Sequence, residues 1–139
     1  MRWWDIPAVA LLETRSYASD HWSEESFWGE LAGGHVYRVA ETDGAIVGYA
    51  GLSVIGDDGN LQTVAVDPEH RGNGIGGQLV DVLLSSAREQ GLRAVELEVA
   101  SRNLPARHLY EVRGFVEVGL RRGYYAADGD DAILMTATL

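Results

Sequence analysis

The chain has 139 residues, 46% of them hydrophobic and 23% charged, the length of a single domain that can bury a core without staples. It contains no cysteine, which excludes disulfides, thiolate metal sites and a cysteine nucleophile, and fits a reducing, cytoplasmic setting. With 21 acidic against 11 basic side chains the net charge is −10, a field that repels nucleic acid and anionic lipid and draws cationic partners. Asp5 and Glu13 interrupt the first apolar stretch, and no segment reaches the roughly 18 apolar residues of a membrane span.

In chain order, residues 2–4 predict a short strand. Ile6, Val9, Ala10 and Leu12 recur at helical spacing over Ile6 to Ser16, with Pro7 tolerated in the first turn. Ser23 is an N-cap candidate followed by Glu24 and Glu25, and Ser26 to Leu31 continues that helix until Gly33-Gly34 stops it. His35 to Glu41 and Ala45 to Ile55 read as strands joined at Thr42-Asp43-Gly44, a hairpin signal. Gly56-Asp57-Asp58-Gly59 reads as a turn, and Asn60 to Val66 as the next strand. A helix with an apolar face of Leu79, Val80, Val82, Leu83 and Leu84 runs to Glu89 and ends at Gly91.

Ala94 to Ala100 alternates, with Glu96 and Glu98 on one face and Val95, Leu97 and Val99 on the other. Leu104 to Val112 is a short helix closed by Arg113-Gly114, and Val116 to Arg122 and Ala132 to Ala137 are terminal strands. The order predicts one α+β domain over residues 1–139, with a single parallel crossover made by the helix after the glycine loop.

That loop, Asp67-Pro68-Glu69-His70-Arg71-Gly72-Asn73-Gly74-Ile75-Gly76-Gly77, follows the apolar run Val64-Ala65-Val66 and leads into a helix. Unpaired first-turn amides and the helix dipole favour phosphate there. Gly72-x-Gly74-x-x-Gly77 also fits a dinucleotide-binding loop, with Glu98 at a suitable distance downstream. Against that reading, a polar segment separates strand from glycines, the motif lies mid-chain, and hairpins precede it. A glycine-rich turn without a ligand is the third reading.

The spacing Arg71-x-x-Gly74-x-Gly76 resembles the pyrophosphate loop of the GNAT acetyltransferases. Over nearly the whole chain the sequence is similar to the RimI-type and related N-terminal protein acetyltransferases. The resemblance rests on Trp22-Ser23-Glu24-Glu25-x-Phe27, Val64 to Pro68 with the glycine loop, Leu97-Glu98-Val99, Asn103, Leu109-Tyr110-Glu111 with Gly114-Phe115, Arg121-Arg122-x-Tyr124-Tyr125 and Asp131-Ala132. It implies a three-layer α/β/α GNAT fold: a mixed, mostly antiparallel sheet of about seven strands, four helices and one splayed parallel strand pair. Acetyl-CoA is the implied co-substrate, with no metal, held by Val64, Ala65, Val66, Arg71, Gly72, Asn73, Gly74, Ile75, Gly76, Gly77 and Asn103. The implied acceptor is the N-terminal peptide of a basic, ribosomal protein, specifically the alanine of small-subunit ribosomal protein eighteen, with no nucleic acid or membrane partner. A lysine side chain or small amine is the alternative acceptor, and a coenzyme-A-binding module without turnover the alternative class. Position 123 is glycine where relatives often have asparagine, and the N-terminal strand is cut short.

Acetyl transfer to an amine needs a neutral nitrogen, donors for the oxyanion and a proton for the departing thiolate. An α-amine has a pKa of about 7.7–8.0, whereas a lysine, near 10.4, costs roughly 3–4 kcal/mol more to deprotonate. The resemblance makes Glu98 the base, acting through a water or with its pKa raised by burial or by Glu96; on pattern alone it is an exposed strand carboxylate. It makes Tyr110 the acid, where the pattern allows a core tyrosine. Tyr124 and Tyr125 are candidates to clamp the acceptor, and Asp20, Glu24 and Glu25 to meet its basic side chains; the same acids suit a helix N-terminus. His70 and His108 are badly spaced for a metal, and His21 and His35 read as surface residues. Asp128-Gly129-Asp130-Asp131 lacks the spacing of a calcium loop and reads as an exposed loop.

Overall fold

The computed structural model describes residues 1–16, 22–125 and 130–139, with Tyr124 and Tyr125 described as backbone only. Four helices, α1 (Ile6–Ser16), α2 (Glu24–Ala32), α3 (Ile75–Glu89) and α4 (Leu104–Glu111), accompany six strands among these residues. The strands are β1 (Val36–Thr42), β2 (Ala45–Ile55), β3 (Asp58–Val66), β4 (Ala94–Ala100), β5 (Val116–Tyr125) and β6 (Asp130–Thr138). They form one sheet in the order β1-β2-β3-β4-β6-β5, antiparallel except for the β3–β4 pair. Ala45–Ile55 and Ala94–Ala100 have the expected bounds.

The count is six where about seven were expected, and residues 2–4 are the place of the difference. Trp3–Asp5 is a 3-10 turn running into α1. Arg2 N–H donates to the Asp5 carboxylate at 2.8 Å, so a local side-chain acceptor takes the bond a strand would have given its ladder. A second difference lies at Gly56–Gly59, where only Gly56 and Asp57 turn; Asp58 and Gly59 already pair with Ile55 and Val54.

The sheet divides two cores. Leu52, Leu83, Val95, Leu97, Phe115 and Met135 pack on the α3–α4 side, and Ile6, Val9, Phe27, Tyr37, Tyr49 and Ala65 on the α1–α2 side. Strand β2 lies between β1 and β3 with both faces covered, so Val47 to Ser53 are all buried. Buried Glu13 of α1 is satisfied by the Tyr49 hydroxyl, which donates to it at 2.6 Å. These are the three expected layers.

A bulge in strand β3 switches which of its residues face each core. Pairing with β2 runs Gly51↔Thr63 and then Leu52↔Leu61, which leaves Gln62 as one extra residue. Before the bulge Leu61 faces the α3 core; after it Ala65 faces the α1–α2 core. The parallel ladder with β4 runs from Asp58↔Ala94 to Leu61↔Leu97 and stops at the same point. Beyond it β3 keeps only β2 as a strand neighbour and β4 keeps only β6, so the two strands splay into a cleft. Among the described residues no helix is long and apolar enough to cross a membrane.

Candidate active site

The glycine loop is pinned at its base by Asp67, which is buried at 8% exposure. Its N–H donates to Val47 O at 2.7 Å, and its Oδ1 accepts the Glu69 N–H at 3.0 Å. Its other carboxylate oxygen pairs with Arg15 of α1 at 3.2 Å. A single 3-10 turn, Pro68–His70, follows. Gly72 (φ +83°) and Gly74 (φ +77°) then take left-handed conformations that a side chain would strain.

Gly74 caps α3 without any side-chain bond, and the Gln78 N–H bonds back to its carbonyl at 3.1 Å. The amides before Gln78 therefore open the helix with the dipole's positive end beside them. Gly76 carries no Cβ towards Val64, Val66 and Leu109, whose atoms would lie 3.4–3.9 Å from one. Uncapped amides, missing side chains and a neighbouring strand cleft fit a pyrophosphate and an extended arm.

The loop residues divide in what they do. Arg71 is exposed and its Nε donates to Val66 O at 3.2 Å, while Asn73 Nδ2 reaches His70 O at 3.3 Å; both shape the loop. Ile75 is half-buried at its base. Gly77 is buried, and a Cβ there would meet Arg113 Nη2 at 2.2 Å. Arg113 pairs with Asp81 of α3 at 2.9 Å and donates to Leu109 O of α4 at 3.0 Å, so the bareness of Gly77 serves helix packing.

Across the cleft, β4 leads through a short turn to Asn103, whose Oδ1 accepts the Ala106 N–H at 3.2 Å and caps α4. Its amide NH2 is then the donor side of that residue. Tyr110 lies on the last turn of α4, 8% exposed, with its ring edge-on to Phe115 at 5.7 Å between centroids. Glu98 alternates with buried Leu97 and Val99 and is half-buried, while Glu96 on the same face is exposed. Arg121 of β5 lies with Nη1 3.3 Å from Glu98 Oε1. That ion pair was not foreseeable from spacing, because it depends on the β4–β6–β5 register.

Two expectations are corrected here. His35 is half-buried: its Nδ1 accepts the Val54 N–H at 3.0 Å and its Nε2 lies 3.7 Å from Glu30, so it ties α2 to the sheet instead of facing water. Asp130 is buried in β6 at 6% exposure, because its carboxylate is the acceptor for Ser101, Arg102 and Asp131. Glu24 and Glu25 are exposed in the first turn of α2. Asp20, His21, Asp128, Gly129 and the side chains of Tyr124 and Tyr125 lie outside the described residues. Among the described residues no group of three His, Cys, Asp or Glu side chains could hold a metal ion.

The profile of the acetyltransferase (GNAT) family matches residues 3–115. The N-alpha-acetyltransferase RimI of Mycobacterium tuberculosis is 40% identical over 137 residues, covering 94% of this chain and 85% of the relative. The ribosomal protein bS18-alanine N-acetyltransferase of Escherichia coli is 34% identical over 133 residues, covering 94% and 89%. Among solved structures, the ribosomal-protein-S18-alanine N-acetyltransferase from Escherichia coli superposes with a TM-score of 0.91 at 31% identity, covering 99% of this chain and 90% of that one. Ard1 from Thermoplasma volcanium gives 0.90 at 26% identity, covering 100% and 94%. The bulged and splayed strand pair, the bare start of α3 and a profile running through both have one explanation: the chain belongs to the GNAT family of acetyl-CoA-dependent acetyltransferases.

Proposed function

We propose that this enzyme acetylates the N-terminal α-amino group of a protein, and that its acceptor is the N-terminal alanine of ribosomal protein bS18. The observation that carries the reading is one cleft with uncapped α3 amides at its cofactor end and the Glu98–Arg121 pair beside it. The relatives named for this activity, aligned over 94% of the chain, support the acceptor. A net charge of −10 suits a basic partner.

Acetyl-CoA supplies the acetyl thioester when bound. The amides at the start of α3, with Arg71 to Gly76, hold its pyrophosphate; Val64 to Val66 and Asn103 flank the pantetheine arm. Glu98 accepts a proton from the acceptor ammonium, directly or through a water, and passes it to solvent. Because an α-amine already has a pKa of about 7.7–8.0, this carboxylate has little work to do. Tyr110 gives its hydroxyl proton to the leaving sulfur and is repaid by the second proton the nitrogen loses as the amide forms. Transfer is direct within the ternary complex, and the chain has no cysteine that could hold the acetyl group as a thioester.

The test is mass spectrometry after incubation with acetyl-CoA and two basic peptides, one with a free N-terminal alanine and no lysine, the other blocked and lysine-rich. One acetyl gained on the first alone supports the reading; a gain on the second alone makes the enzyme a lysine acetyltransferase. Coenzyme A binding with neither peptide modified favours a small amine or a module without turnover. Tyr110→Phe is expected to lower kcat by about a hundredfold and Glu98→Gln by only about tenfold, while coenzyme A affinity stays within about twofold in both.

A further inference from the structure

Two neighbouring aspartates at the start of β6 bond to the chain on either side of that strand, one to the turn that ends β4 and the other to β5. Asp130 Oδ1 accepts the Ser101 hydroxyl and, at 2.8 Å, the Asp131 N–H; its Oδ2 accepts the Arg102 N–H at 3.2 Å. Arg102 Nε lies 4.0 Å away, so most of what satisfies this buried carboxylate is backbone and hydroxyl. Such bonds fix the path of a turn rather than a charge pair. The turn in question, Ser101-Arg102, joins β4, which carries Glu98, to Asn103 and α4, which carries Tyr110.

Asp131 faces the other way. Its Oδ1 accepts the Gly123 N–H at 2.8 Å, and its carbonyl accepts the Ser101 N–H at 2.9 Å. Gly123 has φ +64° and lies between Arg121, the partner of Glu98, and the Tyr124-Tyr125 pair. There the β5–β6 register slips, between Arg121↔Ala132 and Tyr125↔Asp130. One carboxylate thus fixes the irregular backbone between Arg121 and the backbone of Tyr124 and Tyr125.

We propose that Asp130 and Asp131 are a divided pair of positioning residues. Asp130 sets the cofactor side of the site through the turn before Asn103, and Asp131 sets the acceptor side through Gly123. This rests on the acetyl-transfer reading above. The Ser101 hydroxyl, with the Arg102 and Asp131 amides, also holds the Asp130 carboxyl below its ordinary value, as full use of its lone pairs requires.

The division is what an experiment can read. Asp130→Asn sets an NH2 donor against donors that need an acceptor, and Asp131→Ala removes the acceptor for Gly123; Asp131→Asn keeps that oxygen. Coenzyme A affinity is measured by calorimetry without acceptor, and acceptor KM at saturating acetyl-CoA. Hydrogen exchange of residues 116–125 is followed in the same proteins. Asp130→Asn is expected to weaken coenzyme A about tenfold and to leave acceptor KM within about twofold.

Asp131→Ala is expected to raise acceptor KM about tenfold and speed exchange at Gly123, with coenzyme A affinity kept and Asp131→Asn restoring both. Ser101→Ala removes one Asp130 bond from the opposite partner and should show a smaller loss of coenzyme A affinity, which covers the case of an Asp130 variant that does not fold. Equal effects of both aspartates on both ligands, no effect on either, or failure of Asp131→Asn to restore exchange would overturn the proposal. A parent that binds coenzyme A but modifies no alanine peptide sinks the acceptor reading instead, and the calorimetry and exchange still decide the positioning roles.

Discussion

Helices α2 and α4 begin on side chains that satisfy their own first turns, and α3 does not. Ser23 Oγ accepts the Ser26 N–H at 3.3 Å, and Asn103 Oδ1 accepts the Ala106 N–H at 3.2 Å. Gly74 offers α3 nothing but left-handed backbone. A side-chain cap stabilises a helix by about 1 kcal/mol. Helix α3 forgoes it safely, because Leu79, Val80, Leu83, Leu84 and Ala87 bury its inner face, and burial of each larger side chain is worth about 1.5–3 kcal/mol. The best-packed helix is the one whose end can be left open for a ligand. Stability and binding are thereby assigned to different helix starts.

The comparison breaks most sharply if α3 is given the start that α2 has. Gly74→Asp would add a carboxylate at the α3 start proposed above to hold the pyrophosphate, and coenzyme A affinity by calorimetry should fall about a hundredfold. Its melting temperature should hardly move, since a left-handed aspartate costs about 1–2 kcal/mol and a cap returns about 1. Asn103→Ala should do the opposite in proportion: about 1 kcal/mol of stability lost in denaturant titration, with acetyl-CoA KM raised only several-fold. Ser23→Ala should lose about 1 kcal/mol and leave the acetyl-CoA KM alone.

The smallest effect concerns pH. Because the carboxyl of Asp130 titrates below 3.8 when folded, its contribution is full above that pH and is lost as pH falls through the lowered value. The melting-temperature difference between parent and Asp130→Asn should therefore hold from pH 6 to about 4 and shrink in stronger acid.

Periodicity and glycine punctuation made most of this fold legible. The alternation of Ala94 to Ala100 and the apolar run of Ala45 to Ile55 gave both strands their bounds, and the glycines after Asp67 announced a loop, though its last three residues, Ile75 to Gly77, already belong to α3. What stayed hidden depends on partners distant in sequence. Nothing local says that Gln62 is an extra residue, since that is a relation between β2 and β3. Asp130 looked like loop because its sequence neighbours are polar, whereas its acceptors' donors lie 28 and 29 residues away. Gly77 reads as one more loop glycine until Arg113, from the end of α4, is found lying over it. The candidate site residues were named from spacing and from the family resemblance; the contacts around them, such as Arg121 on Glu98, required the register.

The splay between β3 and β4 has a consequence for heat. Past Leu61↔Leu97 the two strands give up the ladder bonds that a closed sheet would keep. An extended ligand arm lying in that gap can return some of them, and it does so only in the folded state. Mass action then couples melting to cofactor supply: at a hundred times its dissociation constant a ligand adds about 2.7 kcal/mol. A thermal scan with rising coenzyme A should show the melting point climbing with the logarithm of its concentration, and in Gly74→Asp that climb should begin only at far higher concentrations. On the proposed cofactor placement, a bound cofactor becomes part of what holds the sheet together.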